Sequence, residues 1–144
     1  RYSFEVTVHG QTAHASHYPE VGENALISGG RLTAAIEALP TLQHPHLKHG
    51  TCCVRYMEGG NPGTLVVPEK CYLFVERYVV PGETDEICIA QIMGAAEQLG
   101  IPVVTFGPSG GNMHGDNEYG YAWQVKNCGE VYRRTVARLL SGEV

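Results

Sequence analysis

The stretch Phe4 to Ala25, FEVTVHGQTAHASHYPEVGENA, decides how the rest of the chain is read. Just before and within it, Tyr2, Phe4, Val6 and Val8 alternate with Ser3, Glu5, Thr7 and His9, the period-two pattern of a half-buried strand. Gly10 ends the strand. In Ala13-His14-Ala15-Ser16 a histidine stands between small residues, so its imidazole can project from a loop unscreened by bulky neighbours. Pro19 to Glu23 reads as a turn, and Asn24 is suited to cap a following helix.

Working outward, Ala25, Gly29, Leu32, Ile36 and Leu39 step by four and three, one apolar stripe on a helix that ends before Pro40. Gly29-Gly30 inside it costs about 1 kcal/mol per glycine relative to alanine if exposed, which predicts close contact with a sheet or a partner. Pro40 to Gly50 has no periodicity and is read as a polar exposed loop. Its histidines 44, 46 and 49 have no carboxylate in the segment to orient a metal-bound ring. Thr51 to Met57 is a second strand with Cys52, Val54 and Tyr56 on one face, followed by the dense turn residues Glu58 to Gly63.

A third strand spans Lys70 to Val80, with Cys71, Leu73, Val75 and Arg77 sharing a face, so that Arg77 ends an apolar row. Pro81-Gly82-Glu83 turns the chain into a second helix capped by Thr84, with Asp85 and Glu86 favourable in its first turn. Its predicted buried stripe is Ile89, Ile92, Met93, Ala96 and Leu99, stopped by Gly100 and Pro102. Ile101 to Phe106 reads as a buried strand. Tyr121, Val125, Cys128, Tyr132, Val136 and Leu139 mark a last long helix. The order strand, helix, strand, strand, helix, strand predicts an α+β fold. It is a ferredoxin-like βαββαβ two-layer sandwich, an antiparallel sheet with its helices on one face, plus a C-terminal helix.

A chain of 144 residues, 43% hydrophobic and 17% charged, suffices for a single core. A net charge of -5 without a basic cluster argues against nucleic acid as a partner. No apolar run approaches the roughly 18 residues of a membrane span, so no membrane partner is expected. The cysteines, five in number and mostly within apolar patterns, read as core residues in a reducing compartment, which predicts a cytoplasmic protein. A strand already in register at the first residue, with no initiator methionine, predicts a piece of a longer chain.

The pattern V-x-V-x-G-x-x-A-H-A-S-x-x-x-E-x-G-x-N-A over Val6 to Ala25 resembles the dimerisation (lid) domain of the di-zinc carboxypeptidase G, aminoacylase and succinyl-diaminopimelate desuccinylase family. Further stretches agree in order: Gly59-Gly60, Val66-Val67-Pro68-Glu69 leading to Glu76-Arg77, and Pro81-Gly82-Glu83-Thr84. Gly100-Ile101-Pro102 through Phe106-Gly107-Pro108 to His114 and Asn117-Glu118 is similar to the end of that family's catalytic domain. The expected organisation is a lid domain over 1–99 and a catalytic-domain segment over 100–144. A join replacing an internal stretch is expected near Ile92 to Ala96, and Ile101 to Phe106 would fill the open edge of the lid sheet.

The resemblance implies roles residue by residue. His14 is expected to reach across a homodimer and hydrogen-bond the scissile carbonyl as its oxygen becomes negative. Arg77 is expected to bind a substrate carboxylate. Substrate contacts are also implied at Asn24, within the first motif, and at Gly107 and Gly110, where backbone amides face the substrate. His114 is the implied zinc ligand, in a family that holds two zinc ions per site, whose other ligands and general base lie in a catalytic half absent from this sequence. Leu65 stands at about the place of a family asparagine. The implied function is a fragment of a zinc-dependent amidohydrolase or exopeptidase acting on a small peptide or N-acyl amino acid with an amide near a free carboxylate. The alternative is a dimerisation module without hydrolase activity of its own.

Overall fold

A computed structural model of the chain describes residues 1–103, 110–111, 117 and 119–142, with Leu139 described by its backbone. In chain order its elements are strand β1 (Tyr2–His9), a 3-10 turn (Ala15–His17), helix α1 (Ala25–Glu37), the short strands β2 (Gln43–His44) and β3 (Lys48–His49), and strands β4 (Thr51–Gly59) and β5 (Lys70–Tyr78). Helix α2 (Asp85–Gln98), short strands β6 (Gly110–Gly111) and β7 (Tyr119–Gly120), and helix α3 (Ala122–Ser141) complete it. The chain divides into two compact units, 1–103 and 104–144.

In the first unit β1, β5 and β4 form an antiparallel sheet in that order, and the helices pack together against it, the α+β arrangement of a ferredoxin-like domain. Val8 of β1 pairs with Cys71 of β5, Val6 with Leu73 and Phe4 with Val75, which aligns the apolar rows of both strands. Against these rows α1 buries Ala25, Gly29, Leu32 and Ile36, the stripe its sequence spacing predicts. Asn24 caps the helix, its Oδ1 accepting the Leu26 N–H at 3.0 Å. The core comprises Val8, Ala25, Leu32, Ile36, Cys71, Leu73, Val75, Ala95 and Ala96, with Ile101 and Val103 packed against its border.

Several expectations change in the folded chain. The register of β4 against β5 slips between Val54 and Tyr56, a bulge at Arg55, so Val54 pairs with Val75 but Tyr56 with Phe74. Tyr56 therefore leaves the Cys52 and Val54 face and stands beside Tyr72, their rings 6.2 Å apart. Helix α2 is turned from the predicted stripe: Cys88, Ala95 and Ala96 are buried and Leu99 is 38% exposed. Small residues let α2 lie close to its neighbours, and the turn brings Gln91 Oε1 2.8 Å from Arg77 Nη2. Gly100, at φ 71, ends the helix and donates its N–H to the Glu97 carbonyl at 2.9 Å. Segment 40–50 is not a plain loop but carries the β2–β3 ladder, with Gln43 opposite His49 and His44 opposite Lys48. Among the described residues Ile101 to Val103 pairs with no strand, and the remainder of the expected sixth strand, 104–106, lies outside them.

Candidate functional site

His14 is positioned by backbone pairing on both sides. Gln11 and Glu23 exchange N–H to carbonyl bonds of 2.9 and 2.8 Å, closing the loop at its base. Ala15 donates to the Leu65 carbonyl at 2.9 Å, and Val67 donates to the Ala13 carbonyl at 2.7 Å, so residues 13–15 form a short antiparallel bridge with 65–67. The alanines on either side of His14 are what allow this approach. At the tip the His14 ring is exposed, its Nδ1 accepts the Ser16 N–H at 3.2 Å, and the Ser16 Oγ lies 2.7 Å from it. The His17 ring stands 5.9 Å away. Exposed apolar groups on the pairing segment, Leu65 at 72% and Val66 at 48%, border this tip.

Arg77 lies elsewhere and is used differently. It is 1% exposed, and its Nη2 donates to Pro40 O at 2.7 Å, Glu83 Oε1 at 2.8 Å and Gln91 Oε1 at 2.8 Å. Glu83 also accepts the Val80 N–H at 3.1 Å and the Leu42 N–H at 3.4 Å. Burial would raise the Glu83 carboxyl, but the hydrogen bonds from Val80, Arg77 and Leu42 outweigh it and hold the group below the usual carboxylate range. The guanidinium thus ties β5, the 80–83 turn, α2 and the segment entering the β2–β3 ladder into one knot, while its Nε and Nη1 are buried with no oxygen or nitrogen partner among the described residues, beside the thiols of Cys52 and Cys88. In the single chain the Arg77 side chain is buried within the first unit.

The other expected site residues separate. Asn24 spends its side-chain oxygen on the α1 cap. Gly110 pairs with Gly120 in the second unit. Gly107 and His114 lie outside the described residues. Among the described residues no three of histidine, cysteine, aspartate or glutamate converge as a metal set, so they do not by themselves fit zinc. In the segment 43–49 the His44 Nδ1 is occupied by the N–H groups of His46 and Leu47, both at 3.2 Å. Sequence reading assigned no task to Ser16, Glu83 or Gln91. An arginine ending an apolar row was the one signal for Glu83, because a buried guanidinium needs a carboxylate.

Residues 2–103 match the peptidase dimerisation domain family. The chain belongs to that family. The match runs across Ile92 to Ala96, the place of the expected join, which lies within helix α2. An aminobenzoyl-glutamate utilization protein from Klebsiella pneumoniae is 30% identical, with 67% of this chain and 24% of that one covered at TM-score 0.50. The aminopeptidase PepT from Bacillus cereus is 26% identical, with 68% and 26% covered at TM-score 0.50. AtUAH in complex with (S)-hydroxyglycine, 17% identical with 67% and 23% covered at TM-score 0.53, shares the fold. The chain spans about a quarter of the length of the first two structures. No curated protein gives a significant match.

Proposed function

We propose that this chain is part of a zinc-dependent amidohydrolase or exopeptidase, to which it contributes the dimer contact and a histidine, His14, that acts in the partner's site. The observation that carries this reading is the outward ring of His14 on a backbone-pinned tip, within a domain of the peptidase dimerisation family. The similar structures from Klebsiella pneumoniae and Bacillus cereus, an aminobenzoyl-glutamate utilization protein and an aminopeptidase, support an amide bond in a small peptide or N-acyl amino acid as the target. The zinc ions would be held outside the described residues, with His114 as the ligand from this chain. Residues 104–144 would belong to the catalytic domain of a cytoplasmic parent.

Pairing would use α1 and the edge strand β4. Ile27 on α1 is 53% exposed, and a Cβ added at Gly30 would meet nothing within 4 Å in the single chain, leaving room for a second copy. Sedimentation at micromolar concentration is expected to show a dimer, and Ile27→Glu to weaken it by about tenfold or more, as for a central interface contact. A monomeric wild-type chain sinks the pairing. In an intact parent, His14→Ala is expected to lower kcat by about 10²–10³, the effect of losing one donor to a developing oxyanion.

The match to a dimerisation domain alone favours a second reading, a module that pairs and does no chemistry. Assaying the intact parent on N-acyl amino acids and dipeptides separates the two: hydrolysis that His14→Ala lowers while the dimer is retained excludes the module.

A further inference from the structure

His14 is the N-cap residue of the 3-10 turn, with φ -64 and ψ 134, and it caps that turn with its own ring. A backbone N–H can only donate, so the Ser16 N–H at 3.2 Å makes Nδ1 an acceptor and leaves the proton of the neutral imidazole on Nε2. With Nδ1 unprotonated, the Ser16 hydroxyl at 2.7 Å must be the donor in that contact as well. The tautomer is thereby assigned from the network around the ring. We propose that Ser16 is a positioning residue that holds His14 as an Nε2–H donor, so that the imidazole offers a proton to a carbonyl oxygen or oxyanion and neither accepts one nor binds a metal through Nδ1. The proposal rests on the reading of His14 as a trans-acting group and specifies its chemistry: its target is an electron-rich oxygen.

Other histidines of the chain calibrate the test. His44 Nδ1 accepts two backbone N–H groups and is held in the same tautomer. His49 Nδ1 lies 2.7 Å from the Gly50 carbonyl, which can only accept, so His49 carries its proton on Nδ1. Ring nitrogen shifts in a long-range proton–nitrogen correlation of the labelled full chain, recorded at a pH where the rings are neutral, report each tautomer. His14 is expected to group with His44, opposite His49, and to exceed the exposed His9 in its Nε2–H fraction. Ser16→Ala, which removes the hydroxyl but keeps the N–H, should lower the His14 tautomer ratio by about fivefold, the value of one net hydrogen bond. Ser16→Thr should restore it, which a general loss of folding would not allow. A His14 ratio equal to that of His9, a His14 grouped with His49, or a ratio unchanged in Ser16→Ala overturns the proposal. If the tautomer behaves as stated but His14→Ala leaves the parent's kcat intact, the trans-acting reading fails by itself.

Discussion

Glu83 and Arg77 form the most buried ion pair among the described residues, with side chains 1% and 2% exposed, and they show how far one residue's role depends on where the fold puts it. Deleting one member leaves a buried charge uncompensated, so Glu83→Ala is expected to cost about 3–5 kcal/mol in denaturant unfolding. Arg77→Ala should act similarly, and the double variant should cost less than the sum, because both remove the same interaction. The pair also sets a pH dependence. The folded Glu83 carboxyl is held low, so its contribution is complete above the unfolded value of about 4.3 and is lost as pH falls through the folded value. Acid unfolding monitored by circular dichroism is expected to begin at higher pH in the wild type than in Glu83→Gln, once each is referred to its own neutral stability. Asn24 makes a simpler case. If its task is the cap, Asn24→Ala loses about 1 kcal/mol of stability and Asn24→Asp or Asn24→Ser recovers most of it.

At the scale of elements, the two adjacent glycines of α1 have different tasks. A Cβ on Gly29 would collide with the Cys71 Sγ, so this helix rests on β5 at the distance a glycine permits. Gly29→Ala is expected to destabilise by about 1–3 kcal/mol through overpacking. Gly30→Ala meets open space and should stabilise an isolated domain by about 0.5–1 kcal/mol, since alanine favours the helix. Thermal melts of the two variants side by side check the prediction, and any loss of dimer in Gly30→Ala would place that face in the pairing surface. Strand β4 shows a different control. The bulge at Arg55 swings its guanidinium over Phe74 at 4.5 Å and toward Glu76 at 3.3 Å, and sends Met57 to the helix side, where Thr33 reaches its sulfur at 3.7 Å. One extra residue thus inverts which side chains of an edge strand lie on the helix side of the sheet.

At the scale of the whole molecule, the first unit contains the whole hydrophobic cluster, including the border residues Ile101 and Val103. A chain ending after Val103 is therefore expected to fold, with a cooperative melt and the secondary structure of the three-stranded sheet by circular dichroism. In the second unit, α3 has an apolar face with Val125 55%, Tyr132 57% and Val136 53% exposed, on the stripe its spacing predicts. Glu130 on this helix is held down to about 2 by the hydrogen bonds of Arg133 and Arg134. That group is too open to water to matter much for stability.

The order of the main elements as far as α2, the caps at Asn24 and Thr84, the α1 stripe and the outward His14 were legible in the sequence by itself. Each is a local matter of periodicity, turn chemistry or small neighbours, carried within one turn or one strand. The bulge at Arg55, the turn of α2, the pairing in segment 43–49 and the commitment of Arg77 to Glu83 and Gln91 were decided only by tertiary structure. Each depends on what lies across a sheet or under a helix, and an apolar pattern does not specify it. A bulge keeps the apolar composition and shifts the register. A buried guanidinium rotates a helix toward the partners that offset its desolvation. His14 stands on both sides of this division: its exposure follows from its alanine neighbours, while the nitrogen that carries its proton follows from the fold of the turn around Ser16.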